Sequence, residues 1–349
     1  MIRRYLHAVM TDQKNDPFSF LVKGILFLSA STFGILVNIR GFLWQQGFFK
    51  AKKVPLTVIS VGNITLGGTG KTPLVKWLAQ KIVSRGKKVV VLTRGYKKMA
   101  EDLSDETLEL RHSLPNVPVW LGKDRVTLAE KALSEGADVV ILDDGFQYRR
   151  LHRDLDIVLI DAMNPFGNGK MLPRGILRES PVSLKRADLL VLTRSDGEER
   201  NVNALEQFLR GCVPDSSVLF SFHRMRRFYE SRTREGVSLE ALRRQRLIGF
   251  CGIGNPKAFS RLLEESGLQL LKTVPFMDHH HYVREDLEKI DRMAESLDAD
   301  SLITTEKDFE RLKALDLWPS TKLVVVEVEL VMTKNENELL RRLDILLSR

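Results

Sequence analysis

The stretch that decides the fold is Val58-Ile59-Ser60-Val61-Gly62-Asn63-Ile64-Thr65-Leu66-Gly67-Gly68-Thr69-Gly70-Lys71-Thr72. Its first five residues form a short apolar run rich in β-branched side chains, which predicts a buried strand. A glycine-rich turn follows, and a helix is predicted from about Lys71 to Ser84. A strand, a glycine-rich turn and a helix in this order are the context in which backbone amides bind phosphate.

The turn resembles the phosphate-binding motif GxxxxGK[ST], with Thr65 in the place of the first glycine. Its other glycines let backbone N–H groups approach a phosphate closely, and the helix start adds positive potential. We expect Lys71 to reach the β- and γ-phosphates and the Thr72 hydroxyl to bind Mg²⁺. The alternative is a turn that only caps a helix. The predicted nucleotide-binding residues are Thr65, Leu66, Gly67, Gly68, Thr69, Gly70, Lys71 and Thr72.

Two adjacent carboxylates, Asp143 and Asp144, follow the apolar strand Val139-Val140-Ile141-Leu142. The carboxyl ends of parallel strands face the ligand crevice, so these residues are predicted to lie beside the phosphates and hold Mg²⁺. Neighbouring residues of a strand point in opposite directions, which indicates separate roles. An exposed Asp-Asp-Gly turn is the alternative.

Further apolar runs alternate with helical stretches, which predicts an α/β fold: a mostly parallel, P-loop NTPase-like sheet with helices on both faces. These runs cover residues 87–92, 137–142, 156–160 and 187–192. A further apolar run at 218–222 leads into a basic stretch, and a second series, at 247–251, 301–304 and 322–328, predicts a smaller C-terminal α/β lobe. We predict an N-terminal segment at 1–53, a P-loop core at 54–225 and the lobe, with its β-linker, at 226–349.

Composition favours anionic partners, because the formal net charge is +9. The chain has only two cysteines, Cys212 and Cys251, without metal-ligand spacing, so neither a disulfide framework nor a zinc site is predicted. The charge alone also permits a nucleic-acid-binding protein, but no recognisable nucleic-acid-binding motif supports that class.

The N-terminal segment from Phe18 to Phe49 is apolar and aromatic, and its only charges are positive. Its longest uncharged run, Gly24 to Ile39, is shorter than the roughly 20 residues that span a bilayer. We therefore predict a membrane-associated helix that lies in an anionic lipid interface. A buried core helix and a transmembrane span are the alternatives.

Thr193-Arg194-Ser195-Asp196 follows a predicted strand and resembles the TKxD base-reading motif of GTPases, with Arg in the place of Lys. A P-loop GTPase or a nucleotide-driven metallochaperone is therefore the competing interpretation. Preference for GTP over ATP would distinguish that competitor from a kinase.

Several strings together resemble one family, the tetraacyldisaccharide 4′-kinases of lipid A biosynthesis. The strings are Val61-Gly62-Asn63 with the loop through Pro73, Thr93-Arg94-Gly95-Tyr96, Asp143 to Leu151, Phe166-Gly167-Asn168-Gly169, Leu172-Pro173-Arg174-Gly175, Leu177-Arg178-Glu179, Gly252 to Pro256, Asp278-His279-His280 and Thr304 to Asp308.

The resemblance implies transfer of the γ-phosphoryl of ATP, with Mg²⁺, to the 4′-hydroxyl of a tetraacylated glucosamine disaccharide 1-phosphate, which gives lipid IVA. It implies a peripheral or monotopic protein at the cytoplasmic face of the bacterial inner membrane. The partners expected are the lipid-linked substrate and the membrane surface, with no nucleic acid and no obligate protein partner.

The resemblance also implies catalytic residues. Asp105 matches the family's base, although Ser104-Asp105-Glu106-Thr107 departs from the Gly-Asp-Glu-Pro pattern, and His279 matches the assisting histidine. Tyr148 stands where the family often has His and is expected to contact substrate rather than to catalyse. Lys307 lies in a matching string without a readable role.

Arginines near these strings are candidates for an anionic acceptor, because the guanidinium fork bonds two phosphate oxygens. Arg178 is the first candidate for contact with substrate phosphate or the transferring phosphoryl, and Asn168 is expected to position sugar hydroxyls. Surface salt bridges are the alternative for any single arginine. The predicted catalytic residues are Lys71, Asp105, Arg178 and His279, and the predicted substrate-binding residues are Arg149, Asn168, Arg174 and Arg178.

Overall fold

The computed structural model describes residues 5, 8–10, 12–14, 16–94, 105–195, 199–213, 217–278 and 280–348. The strands are β1 Thr57–Asn63, β2 Val89–Thr93, β3 Val119–Leu121, β4 Val139–Asp143, β5 Leu155–Asp161, β6 Leu189–Thr193, β7 Ser217–Glu230, β8 Gly236–Val237, β9 Arg246–Cys251, β10 Gln269–Pro275, β11 Ser301–Thr305 and β12 Leu323–Lys334.

The helices are α1 Pro17–Gln45, α2 Lys71–Val83, α3 Asp105–Ser113, α4 Arg125–Ser134, α5 Glu199–Cys212, α6 Leu239–Arg243, α7 Pro256–Glu265, α8 Arg284–Ser296, α9 Glu306–Ala314 and α10 Glu336–Leu347. A 3₁₀ helix covers Pro181–Arg186.

The chain divides into two compact units. The first comprises Met1–Gly95, Leu114–Phe222 and Met332–Arg349, and the second comprises Tyr96–Ser113 and His223–Val331. The predicted domain limits at 1–53, 54–225 and 226–349 stay a prediction.

The first unit contains a parallel sheet with the strand order β7-β6-β5-β1-β4-β2-β3. Its central strands β2, β4, β5 and β6 are buried at every residue, which is typical of parallel strands covered by helices on both faces. In the register of β1 and β4, Val61 pairs with Asp143, so the phosphate-loop strand and the carboxylate strand end together.

Close approach between β1 and the chain after β4 depends on Gly62. A Cβ atom at this position would lie 2.6 Å from the Phe146 Cβ and 2.8 Å from its backbone nitrogen. Contacts this short leave no room for a side chain. Glycine therefore allows the segment after Asp144 to pack directly on the end of β1.

The second unit contains β9, flanked by β10 and β11 in parallel, followed by β12 and β7. The sequence predicted that the strand at 218–222 would end before a polar boundary, but β7 continues to Glu230. The reason is charge pairing: Arg226 and Arg227 contact Glu327 on β12, at 2.8 Å and 2.5 Å, and Arg224 contacts Glu329 at 2.6 Å. These ion pairs compensate the positive charges of Arg224, Arg226 and Arg227 within β7.

The predicted fold class, a mostly parallel α/β sheet with helices and an apolar N-terminal helix, is confirmed. The strand predictions missed β3, β8 and β10. The first two span three and two residues, and β10 contains no buried residue.

Helix α1 has 29 residues and begins at Pro17 after the cap Asp16, whose side chain accepts a hydrogen bond from the Ser19 amide. Among the described residues it is the one helix long and apolar enough to cross a membrane. Only Ser19 and Ala30 are buried, so most of its Phe, Leu and Ile side chains are exposed. A buried core helix, one of the alternatives, is therefore excluded.

Candidate phosphoryl-transfer site

The phosphate-binding loop leaves β1 at Asn63 and enters α2 at Lys71, as predicted. Gly67 and Gly70 adopt positive φ angles of 109° and 86°, which favour glycine. The Asn63 side chain donates a hydrogen bond of 3.0 Å to the buried Thr69 hydroxyl and accepts one of 3.4 Å from Lys71 Nζ. The end of the strand thus fixes both the loop and its lysine.

Arg178 reaches this loop through backbone pairing. The Leu66 amide donates to the Ile176 carbonyl at 2.7 Å, and the Arg178 amide donates to the Ile64 carbonyl at 2.8 Å. The segment that carries Arg178 therefore runs beside the beginning of the loop, although more than 100 positions separate the two in the sequence.

Asp144 joins the two cations. Arg178 Nη1 donates to both of its carboxylate oxygens, at 2.8 Å and 3.0 Å, and Lys71 Nζ lies 3.7 Å from Oδ1. Burial alone would raise the pKa of Asp144, but Lys71 and Arg178 outweigh burial and lower it to about 2. Asp144 is therefore an ionised acceptor near neutral pH.

The two carboxylates differ in position. Asp143 ends β4 and is buried, whereas Asp144 follows it with a φ of 53°, outside the strand. This left-handed turn directs Asp144 toward Lys71 and Arg178, which gives the adjacent residues separate surroundings. The sequence predicted such a difference from strand alternation alone.

Arg125 is a site residue that the sequence analysis missed. It is 1% exposed, and its Nη1 donates to the Asp144 carbonyl at 3.0 Å. Burial lowers the pKa of Arg125, while the charges of Asp143 and Asp144 raise it. No sequence motif around Arg125 identifies it as a site residue. It lies beside Asp144 only because α4 packs beneath the two carboxylates.

A second group of predicted residues forms a separate cluster with the N-terminal segment. Asn168 Nδ2 donates to Asp12 Oδ2 at 2.9 Å, and Arg174 Nη2 lies 2.7 Å from Asp12 Oδ1. Lys23 of α1 lies 2.9 Å from the same carboxylate. Hydrogen bonds from Arg174 chiefly hold the pKa of Asp12 well below its usual range. Asn168 and Arg174 thus hold Asp12, which precedes α1 in the sequence.

Arg149 contacts the other end of α1. Its Nη1 donates to the Gly41 carbonyl at 3.5 Å, and its Nη2 lies 3.7 Å from the buried Glu179. Burial lowers the pKa of Arg149 to about 10, and the charge of nearby Arg186 contributes. All three predicted substrate residues outside the loop cluster, Arg149, Asn168 and Arg174, therefore lie in contact with the N-terminal part of the chain.

The other residues singled out in the sequence are Tyr148, Asp105, His279 and Lys307. The Tyr148 hydroxyl accepts a hydrogen bond from the Arg125 amide at 3.1 Å and donates to Asp124, at the start of α4. Asp105 is the first residue of α3 in the second unit, and its side chain lies outside the described residues, as does His279 altogether. Lys307 Nζ lies 4.0 Å from Asp278.

A parallel sheet whose first strand enters a helix through a glycine-rich loop, with a lysine held by an ionised carboxylate, defines a P-loop nucleotide-binding protein. The sequence model of the family described as tetraacyldisaccharide-1-P 4′-kinase matches residues 22–347. The chain belongs to the tetraacyldisaccharide 4′-kinase family.

Relatives and a solved structure agree with this assignment. The chain is 36% identical over 360 residues to the tetraacyldisaccharide 4′-kinase of Anaeromyxobacter sp. (strain K), covering 98% of this chain and 93% of that protein. It is 37% identical over 312 residues to that of Geobacter metallireducens, covering 84% and 89% of the two chains. The crystal structure of LpxK from Aquifex aeolicus in complex with ATP matches with a TM-score of 0.72 and 27% identity, over 93% of this chain and 99% of that one.

The predicted family, enzyme class and reaction are thereby confirmed: the chain is a kinase that phosphorylates the 4′ position of a tetraacyldisaccharide 1-phosphate in lipid A synthesis. The family match over most of the chain favours this reaction over the GTPase or metallochaperone alternative.

The charge state of Asp144 yields a prediction about stability. Because its pKa falls from 3.8 to about 2 on folding, the ionised group stabilises the fold above pH 3.8, and this contribution is lost as the pH falls toward 2. We expect the difference in unfolding free energy between wild type and Asp144→Asn to stay constant from pH 7 to about pH 4 and to shrink below that. Urea unfolding at several pH values measures it, with Glu206→Gln as the control, because Glu206 forms a surface pair with Arg210 on α5. A wild-type advantage that instead grows as the pH falls from 7 toward 4 would mean that folding raises the pKa of Asp144.

Proposed function

We propose that this site transfers the γ-phosphoryl group of ATP to the 4′-hydroxyl of the lipid-linked disaccharide. The observation that carries the proposal is the contact of Asp144 with Lys71 and Arg178 at the mouth of the phosphate-binding loop. Two cations converge there beside the helix start, where the negative charge of a triphosphate would lie.

The roles follow from chemistry and position. The loop amides from Gly67 to Thr72 hold the β- and γ-phosphates, Lys71 neutralises them, and Arg178 stabilises charge on the transferring group. The 4′-oxygen forms a bond to the γ-phosphorus while the bond to the bridging oxygen breaks, releasing ADP. Asp105 takes the hydroxyl proton and His279 assists it, as the family resemblance implies.

The residues present also fit a Mg²⁺ ion. Magnesium prefers a few carboxylate or hydroxyl oxygens together with phosphate oxygens rather than a cage built only of protein. Asp143, Asp144 and Thr72 supply such donors near the loop. Bound there, Mg²⁺ would neutralise phosphate charge.

Membrane association of α1 is part of the same proposal. Its exposed apolar side chains include Phe18, Phe20, Leu21, Ile25, Phe27, Leu28, Ile35, Leu36, Ile39 and Phe42. The substrate carries acyl chains, so an enzyme seated at the lipid surface meets it where it resides. Contacts of α1 with Arg149, and with Arg174 through Asp12 and Lys23, place this helix against the predicted acceptor residues. Location at the cytoplasmic face follows from use of ATP.

The direct test is phosphate transfer from ATP to a tetraacyldisaccharide 1-phosphate in mixed micelles. We expect Lys71→Ala to lower the rate by at least about 100-fold in a protein that still folds, because a preorganised charge at the phosphates is lost. Lys88→Ala, which removes an exposed lysine of the same unit, is the control and should keep the wild-type rate. A Lys71→Ala enzyme within twofold of wild type would remove the lysine from the mechanism.

The membrane-binding role of α1 is tested by introducing negative charges on its exposed apolar side. We expect the triple variant Leu21→Glu, Leu28→Glu and Leu36→Glu to lose most sedimentation with vesicles of phosphatidylethanolamine and phosphatidylglycerol, since each change removes exposed apolar area and adds repulsion. The matched control places the same three charges at exposed apolar positions elsewhere, as Leu133→Glu, Val182→Glu and Leu297→Glu. If both triple variants sediment equally well with lipid, α1 is not the membrane-binding element.

A further inference from the structure

The phosphate-binding loop is held from a direction that the proposed mechanism does not use. Strands β5 and β6 end side by side, with Asp161 paired to Thr193 in register. The next residue, Arg194, forms a two-point ion pair with Asp161 through its Nε, at 2.9 Å, and its Nη2. Thr193 and Arg194 belong to the string that resembles the base-reading motif of GTPases.

Both side chains at the end of β6 contact carbonyl groups of the loop. Arg194 Nη2 donates to the Gly68 carbonyl at 2.7 Å. The Thr193 hydroxyl donates to the Thr69 carbonyl at 2.9 Å. Two consecutive peptide groups of the loop are therefore fixed by two consecutive residues of another strand.

The direction of these carbonyls sets the direction of the amides. In a planar trans peptide the C=O group and the next N–H group point to opposite sides. Because the Gly68 carbonyl points toward Arg194, the N–H group of Thr69 points away from Arg194. In the same way, the Thr69 carbonyl points toward Thr193, so the N–H group of Gly70 points away from Thr193. A glycine-rich loop has many other conformations available. The two hydrogen bonds thus select one in which these amides point away from β6.

Burial gives the arrangement its rigidity. Thr193 is fully buried, Asp161 is 8% exposed, and the Arg194 side chain is 13% exposed. Arg194 adopts a φ of 54°, a conformation that costs free energy for a residue with a Cβ atom. A bidentate carboxylate holds a guanidinium in one orientation better than a single contact does.

We propose that Arg194, oriented by Asp161, is a positioning residue that fixes the phosphate-binding loop with its amides presented to the nucleotide. This role rests on the nucleotide-binding function proposed above for the loop. The reach of the guanidinium to Asp161 and Gly68 together requires the Arg fork, which a lysine ammonium cannot reproduce.

The test compares Arg194→Ala, Arg194→Lys and Asp161→Asn, with Arg210→Ala as control, because Arg210 forms an exposed i,i+4 pair with Glu206 on α5 of the same unit. Calorimetry gives the Kd for ADP, and thermal unfolding without nucleotide reports the fold. We expect the Kd for ADP to rise about tenfold or more in Arg194→Ala, less in Arg194→Lys, and not at all in Arg210→Ala.

A double-mutant cycle separates positioning from general stability. If Asp161 acts through Arg194, the double variant Asp161→Asn with Arg194→Ala binds ADP no more weakly than Arg194→Ala alone. Should Arg194→Ala not fold, Asp161→Asn carries the test, because it keeps the arginine and the side-chain volume. The proposal is overturned if Arg194→Ala and Asp161→Asn both fold and both bind ADP with the wild-type Kd, even if their thermal midpoints are lower. Failure of the wild-type protein to bind ADP would instead overturn the proposed function.

Discussion

The site depends on one carboxylate, Asp144, which lies between the cations Lys71 and Arg178 at the carboxyl ends of the strands of the first unit. Asp144 would be costly to bury alone, since removing its charge from water disfavours the ionised form. Lys71 and Arg178 reverse that preference and keep its pKa at about 2. The same contact draws together a loop, a helix start and a segment from far along the sequence.

This constraint explains why the surrounding elements have their shapes. The glycines of the loop permit the tight path to Lys71, and Gly62 permits the chain after Asp144 to pack on β1. Asn63 at the end of β1 bonds both the loop and the lysine. Arg125, buried beneath, holds the backbone of Asp144. Each of these groups fixes a charge or a backbone segment of the site before nucleotide binds. An enzyme with such a preorganised site spends no free energy on rearranging it during phosphoryl transfer.

Much of this arrangement could be predicted from sequence, because it follows local rules. The apolar run before the loop and the spacing of its glycines, Lys71 and Thr72 specify a strand, a phosphate cradle and a helix. Asp143 and Asp144 were placed by the rule that ligands bind at the carboxyl ends of parallel strands. The likeness of ordered strings to one family supplied the reaction and the acceptor.

Contacts between distant parts of the chain could not be predicted in this way. Nothing near Arg125 or Asp161 in the sequence marks them, because their roles arise from strand order. Arg194 was noticed for its motif, yet its partners are a loop carbonyl and a carboxylate from the neighbouring strand. The extent of β7 was missed because its basic run pairs with Glu327 and Glu329 of β12, and pairing between distant strands has no signature along the chain.

We propose that the amides between Gly67 and Thr72 and the side chain of Lys71 bind the phosphates of ATP beside Asp143 and Asp144. The most direct measurement is a crystal structure of this protein with a non-hydrolysable ATP analogue and Mg²⁺. We expect the β-phosphate within hydrogen-bond distance of those amides, with Lys71 Nζ bonded to phosphate. A fully occupied analogue bound elsewhere, with the loop making no phosphate contact, would contradict it.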